Sequence, residues 1–414
     1  MNILINDAYF FPEIVSFSHL EEDLLNEFLK RSYSIDVLCP TPSRGLSKKV
    51  IQAYQKKKVE IPNSDFRITR YWAPKEKKGT IKRALRYFIC FFQAYFKAVK
   101  YSNVDVIFSN STPPTQGMLC AMVAKKLSKK YKKKVPFVFN LQDIFPDSLV
   151  YTGLSKKNSI FWKIGRKIEN YTYRHADKII VISEGFKQNI MAKGVPEEKI
   201  VVVPNWVDTE KVKPIERKNN ALVAEFHLDP KKFIVVYAGN FGAAQGADIV
   251  LRAAERLQEC KDIHFLVLGG GAEFEEAKEY VEEKNLQNVT IDGLLPQERV
   301  SEVYSLGDVA LITCKQGAGG SGLPSKTWSI MACDTPIIAS FDTDSELARI
   351  LEDEHLGKCV SPESVDALVE AIKLQCGKCN EKKNSAREFV LRYASKENCV
   401  AEYMKVFEDI TKGD

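Results

Sequence analysis

Short apolar runs alternate with amphipathic stretches along the whole chain, the pattern of strands and crossover helices in a parallel α/β sheet. Strands are predicted at Asn2–Ile5, Ser34–Cys39, Val106–Ser109, Phe137–Leu141, Lys178–Ile182 and Ile200–Val203. A charged, proline-containing connection fills residues 204–232. A second series follows at Ile234–Tyr237, His264–Leu268, Val289–Asp292, Val309–Ile312, Pro336–Ala339 and Gly357–Val360. Two series with a linker between them predict two doubly wound, Rossmann-like domains facing a cleft, over residues 1–204 and 205–394. A chain of 414 residues exceeds what one core usually serves. The last helix, near Ser395–Thr411, fits either domain by its pattern.

Two stretches depart from that plan. Lys125–Lys134 holds seven lysines in ten residues and reads as a solvated helix end or as a membrane-facing patch. In Ile81–Tyr101, a helical wheel gathers Lys82, Arg86, Gln93, Lys97 and Lys100 in one sector, with Phe88, Phe91, Phe92, Tyr95 and Val99 opposite. A buried core helix shows such a stripe. So does a helix lying in a membrane interface, which the aromatics and flanking cations favour.

Charge sharpens the second reading. Residues 1–204 carry 35 basic and 18 acidic side chains, a balance of +17. Residues 205–414 carry 25 and 36, a balance of −11, and the two give the net +6 of the whole. The first half therefore faces an anionic partner, nucleic acid or an anionic membrane surface. Nucleic acid is disfavoured, because the lysines lack interleaved aromatics and no readout motif is present. No apolar run is long enough to span a bilayer, and MNILINDAYF lacks the form of a secretory signal. Ten scattered cysteines, with a lone CxxC at Cys376–Cys379, fit a reducing cytoplasm and a structural role.

The candidate chemistry sits in two segments of the second half, VYAGNFGAAQG (236–246) and GLPSKTWSIMACDTPIIAS (322–340). Each places small residues between a strand and a helix start, where unpaired N–H groups and the helix dipole hold phosphate. Such loops at the carboxyl ends of parallel strands predict a nucleotide pocket. Gly239, Asn240, Gly242 and Gln245 come from the first segment, and glycines there admit a diphosphate close to the backbone. Lys326 brings a cation, and Ser325 and Thr327 bring hydroxyls. Gly269–Gly271 follows another strand and lines the same pocket. In the first half, Leu141-Gln142-Asp143-Ile144-Phe145-Pro146-Asp147-Ser148 ends a strand, and a carboxylate there projects from the sheet's carboxyl edge. Asp143 reads as a general base or as a helix N-cap.

With these segments the chain resembles the family 4 retaining glycosyltransferases of the GT-B fold, near their WbuB-like branch. The resemblance implies that Lys326, Ser325 and Thr327 hold the diphosphate of a UDP-sugar and stabilise it as it leaves. It implies that Leu294, in Gly293-Leu294-Leu295, lies in the base-binding turn. Leu141–Ser148 resembles the family's D-L-W-P-E-S signature and Phe10–Glu13 its F-P-P-E segment. Glu13, Gln142 and the nearby His19 are then acceptor-side residues, and Ser183-Glu184-Gly185 matches a helix-opening turn. The last helix, 395–414, is expected to return to the first domain. Many members carry a lysine where Gln245 stands and two glutamates where Ser321 and Ser329 stand. That difference implies either a donor sugar with fewer hydroxyls, such as an N-acetylated deoxyhexosamine, or lost activity. Asp342-Thr343-Asp344 imitates a metal-binding DxD, but Ser345-Glu346 follow it as a helix start, so capping explains it. No metal and no other cofactor is expected.

The expected activity is retaining transfer of a sugar from a UDP-sugar to a polyprenyl-diphosphate-linked saccharide, in O-antigen or capsule synthesis, peripherally at the cytoplasmic face of the membrane. A sugar-nucleotide epimerase of the same fold and a non-catalytic binding subunit stay open as alternatives.

Overall fold

A computed structural model describes residues 1–13, 15, 17–75, 80–151, 156–319, 322–377 and 385–412. The chain divides into two compact units: residues 1–203 with 400 onward, and residues 204–399.

The first unit is built on strands β1 (Asn2–Asn6), β2 (Ser34–Pro40), β3 (Val59–Asn63), β4 (Phe66–Tyr71), β5 (Val106–Asn110), β6 (Phe137–Leu141), β7 (Lys178–Val181) and β8 (Ile200–Val202). They form one sheet in the order β3-β4-β2-β1-β5-β6-β7-β8, in which β3 alone runs antiparallel to its neighbour. Its helices are α1 (Ser18–Lys30), α2 (Lys48–Gln55), α3 (Thr80–Ala98), α4 (Gln116–Tyr131), α5 (Asp147–Tyr151), α6 (Ile160–His175) and α7 (Glu184–Met191). The central strands β5 and β6 are buried at every position, because crossover helices cover both faces of such a sheet.

The second unit carries β9 (Phe233–Asn240), β10 (Ile263–Gly270), β11 (Val289–Gly293), β12 (Val309–Thr313), β13 (Ile337–Ser340) and β14 (Gly357–Val360), all parallel, in the order β11-β10-β9-β12-β13-β14. Helices α8 (Ala221–Glu225), α9 (Asp248–Arg256), α10 (Phe274–Glu283), α11 (Val300–Leu306), α12 (Lys326–Ala332), α13 (Glu346–Asp353), α14 (Val365–Cys376) and α15 (Ser385–Tyr393) surround it. Two apolar clusters fill the two faces of this sheet, one around Trp328 and Met331, the other around Phe265 and Leu257.

The final helix, α16 (Lys396–Lys412), starts with the second unit, where the Lys396 N–H donates to the Val207 carbonyl at 3.0 Å. From Val400 it belongs to the first unit, so the return begins there and not at 395. Phe407 meets the rings of Phe28 and Phe108 at 4.9 and 5.5 Å, burying an aromatic cluster on the β1–β5 side of the sheet.

Three features differ from the sequence pattern. The hairpin β3–β4 is absent from it because its residues are polar: Arg70 is buried only because Glu60 pairs with it at 2.7 Å and the Phe11 carbonyl accepts a second bond at 2.6 Å. In α3 the wheel misplaces Arg86, which is buried and donates to the Pro74 carbonyl. The inward face of α3 is Arg86, Cys90, Ala94 and Ala98, while Leu85, Phe88, Phe92 and Phe96 stand out in solvent. The helix is thus a core helix on its small-residue face and an aromatic ridge on the other. Of the lysine run after residue 125, Lys130 donates to the carbonyls of Val99, Lys100 and Tyr101, and Lys133 and Lys134 pair with Asp105 and Asp177. These three lysines fasten loops rather than form an open patch. Among the described residues no helix is long and apolar enough to cross a membrane. Nine cysteines are free thiols; Cys379 lies outside the described residues.

Candidate donor and acceptor sites

In the second unit, the carboxyl ends of β9, β10 and β11 gather most of the donor candidates. Lys326, the first residue of α12, reaches the end of β9, with its amine 3.3 Å from the Ala238 carbonyl and 4.3 Å above the Tyr237 ring. A Cβ at Gly239 would lie 2.9 Å from that amine, so only glycine lets the lysine rest there. Burial without a carboxylate partner brings the Lys326 pKa down to about 8. A cation held with so little solvation gains from any arriving anion, and that is the property a diphosphate site needs.

Around this amine, Gly271 adopts φ +121°, and a Cβ there would meet the Phe241 carbonyl at 2.5 Å. The Asn240 amide donates to the Gln245 side-chain oxygen at 3.1 Å, which closes the turn that contains Gly242. Gln245 thus spends its amide oxygen on the loop instead of supplying the charge a lysine would. Leu294 is exposed beside Gly270. Ser325 is exposed, and Ser329, one turn along α12, is half-buried. Thr327 departs from the expectation: it is fully buried and its hydroxyl is enclosed, so it does not stand open beside Ser325. Ser321 lies outside the described residues.

The Asp342 side chain is a loop tie rather than the cap of α13. Its carboxylate accepts the N–H groups of Gly317 and Gly319 at 2.9 and 2.7 Å and so holds the loop after β12, while Ser345 caps α13. Among the described residues no group of three His, Cys, Asp or Glu side chains is placed to hold a metal ion.

In the first unit, Gln142 and Asp143 follow β6, and both backbone N–H groups donate to the Ser111 hydroxyl, at 3.0 and 3.2 Å. The Asp143 carboxylate accepts the Ser148 hydroxyl at 3.1 Å, so it does not cap α5 through the backbone. It opens to solvent on one side, yet the surrounding protein raises its pKa above the usual carboxylate value by desolvation, with the Ser148 bond opposing. A carboxylate made more basic and left reachable suits a proton acceptor. Glu13 is the second correction: it is buried, and one oxygen accepts the N–H groups of Ser43 and Arg44, both at 2.6 Å. It ties the loop after β1 to the loop after β2, so any effect on an acceptor passes through loop position. His19 is exposed on α1. Ser183 caps α7 by accepting the Phe186 N–H at 3.2 Å.

Sequence reasoning missed three things. Tyr237 carries the Lys326 amine on its ring face, but an aromatic inside an apolar strand reads only as core. Lys315, after β12, donates its N–H to the Ala244 carbonyl at 3.0 Å and brings a second cation beside the glycine turn. A buried polar chain also runs beneath the loops after β1 and β6. The Asn110 amide donates to Asp7 and Glu21, Asn140 donates to Asn110 at 2.7 Å, and Gln142 and Tyr403 both donate to Asn140 at 3.0 Å. Burial raises the pKa of Asp7, and that of Glu21 more strongly. No spacing in the sequence brings these residues together; the sheet order does.

Residues 22–211 match the family description Glycosyltransferase Family 4, and residues 219–388 match Glycosyl transferases group 1. The chain is a glycosyltransferase with the GT-B fold. It is 28% identical over 289 residues to the probable glycosyltransferase WbjE of Pseudomonas aeruginosa, covering 69% of this chain and 70% of that one. To the putative colanic acid biosynthesis glycosyl transferase WcaI of Escherichia coli K12 it is 24% identical over 98% of its own length and 99% of the other. Among solved structures, sucrose-phosphate synthase from Thermosynechococcus elongatus superposes on all of both chains with a TM-score of 0.74 at 16% identity. Anabaena HepE in complex with UDP does so over 99% of this chain and 100% of that one, with a TM-score of 0.71 at 15% identity.

Proposed function

We propose that this glycosyltransferase moves a sugar, with retention, from a UDP-sugar to a polyprenyl-diphosphate-linked saccharide in surface polysaccharide synthesis, within the WbuB-like branch. The observation that carries the reading is the Lys326 amine, desolvated over Tyr237 among the glycine turns of β9 and β10. As the bond from the anomeric carbon to the diphosphate breaks, negative charge grows on the leaving oxygens, and a cation already in place stabilises it. Asp143 orients the acceptor hydroxyl or takes its proton. No resident metal or other cofactor is required in this scheme. The names of WbjE and WcaI support the pathway class, and the UDP complex of HepE supports the donor nucleotide. With Gln245 bonded to Asn240, the donor turn offers less charge toward sugar hydroxyls, which fits an N-acetylated deoxyhexosamine.

The acceptor's lipid places the reaction at the cytoplasmic face of the membrane, and the outward ridge of α3 is the docking element. Leu85, Phe88, Phe92 and Phe96 are exposed there with Lys82, Arg83, Lys97 and Lys100. The Tyr87 hydroxyl lies 3.2 Å from that of Tyr9, linking α3 to the loop that holds Glu13. A thermal-shift panel of UDP-, GDP- and TDP-sugars tests the donor assignment. UDP-sugars are expected to raise the melting temperature most; a response to GDP- or TDP-sugars alone would overturn the uridine assignment.

A further inference from the structure

We infer that the start of α6 is a second membrane-docking surface, which takes an anionic lipid bilayer and acts together with α3. This inference rests on the proposed lipid-linked acceptor. The two most exposed large apolar side chains among the described residues of the first unit, Phe161 at 78% and Ile160 at 76%, are neighbours on α6, and Ile164, at 52%, stands beside them. Positions i, i+1 and i+4 of a helix fall within one sector about 100° wide, the width of an apolar stripe. Lys156, Lys157, Lys163 and Lys167 are exposed around them, and residues 156–168 contain no aspartate or glutamate. The nearby carboxylates, Asp147 and Glu169, are occupied by Arg166 and Lys193 at 2.6 to 3.1 Å. Apolar side chains inside a ring of cations are the arrangement that an anionic bilayer surface attracts and receives.

The position of this patch gives it a role. Helices α3 and α6 both pack against α4, one on each side, and all three start from the carboxyl edge of the sheet. The α6 patch is also fixed to the acceptor loop. A Cβ at Gly165 would lie 2.6 Å from the Phe145 ring and 2.9 Å from Pro146, so glycine lets α6 sit directly on the segment that follows Asp143. Arg166 pairs with Asp147 of the same segment at 3.1 Å. One ridge is therefore joined to the loop after β1, through Tyr87 and Tyr9, and the other to the loop after β6. Attachment at two ridges fixes the tilt of this unit as well as its distance from the lipid. A single ridge leaves the unit free to roll about the helix axis.

The test uses the full chain, vesicles of phosphatidylcholine with phosphatidylglycerol, and three variants. Ile160→Ser/Phe161→Ser/Ile164→Ser removes the α6 apolar face, and Lys163→Glu/Lys167→Glu reverses its charge. Phe88→Ser/Phe92→Ser weakens the α3 ridge. All seven side chains are exposed, so melting curves and the UDP-induced shift are expected to match wild type. The α6 serine variant should lose at least ~10-fold in vesicle partition. The charge reversal should lose about 5-fold or more per lysine at low salt and less at high salt. In a Trp72→Phe background, brominated lipid should quench Trp162, since Trp206 and Trp328 are buried in the second unit. If wild type stays in the supernatant, both the membrane reading and this one fall. If the α3 variant loses partition and both α6 variants keep it, only this inference falls. It also falls if the α6 serine variant turns a lipid-free dimer into a monomer while vesicle partition is unchanged, because a second copy then covers the face.

Discussion

Lys326→Ala is expected to weaken UDP binding by about 10- to 100-fold and to slow transfer at least as much. A charge-assisted contact contributes roughly 1.5–3 kcal/mol, and each ~1.4 kcal/mol is tenfold in affinity. The loss in turnover is the larger one if the contact tightens as the diphosphate leaves. Isothermal titration with UDP and a steady-state assay separate the two. The direction of the pH dependence is also fixed. Burial holds Lys326 at about 8 in the free enzyme, and a bound diphosphate favours the ammonium form. The complex therefore binds the proton more tightly than the free enzyme does. The Lys326 contribution to UDP affinity is level well below pH 8 and falls as the pH rises past it, by up to ~tenfold per unit, until the pKa of the complex is reached. The alanine variant should show no such fall. Unchanged affinity and turnover in the variant would remove Lys326 from the site.

Asp143→Asn is expected to lower turnover by ~100-fold with the melting temperature nearly unchanged. Asparagine keeps the size and an oxygen that accepts from Ser148, so the loop stays closed while the charge is gone. A loss confined to KM for the acceptor would instead mark a residue that positions the hydroxyl without taking its proton. A near wild-type rate would leave Asp143 as a loop residue, joined to Ser148 and nothing more.

The chemistry-bearing loops were legible in the sequence because their residue types have few other uses. Glycines at strand ends and a lysine at a helix start mark a candidate anion site from composition and spacing, and the structure brings the Lys326 amine against Gly239, whereas the Thr327 hydroxyl lies buried. The central strands were legible because they are short apolar runs between helices. Burial that depends on a partner distant in sequence was not legible. Arg70 belongs to a strand because Glu60 and Phe11 satisfy it, and Arg86 lies inward because the Pro74 carbonyl accepts a hydrogen bond from it. In α3 the aromatics dominate any hydropathy pattern, whereas Cys90, Ala94 and Ala98 face inward because only small side chains let the helix approach the sheet. Glu13 shows the same limit on the acceptor side: a carboxylate that binds a ligand and one that ties two loops look alike in sequence, and only its bonds to Ser43 and Arg44 tell them apart.

The central claim is acceptor-dependent transfer from a UDP-sugar. Its most direct test measures UDP release by the wild-type protein across a panel of UDP-sugars, with and without polyprenyl-diphosphate-linked saccharide in vesicles. At least one UDP-sugar should yield UDP only when the acceptor is present, with the donor's anomeric configuration kept in the product. Conversion of the donor to another sugar nucleotide without acceptor, or no UDP release from any donor, would contradict the account.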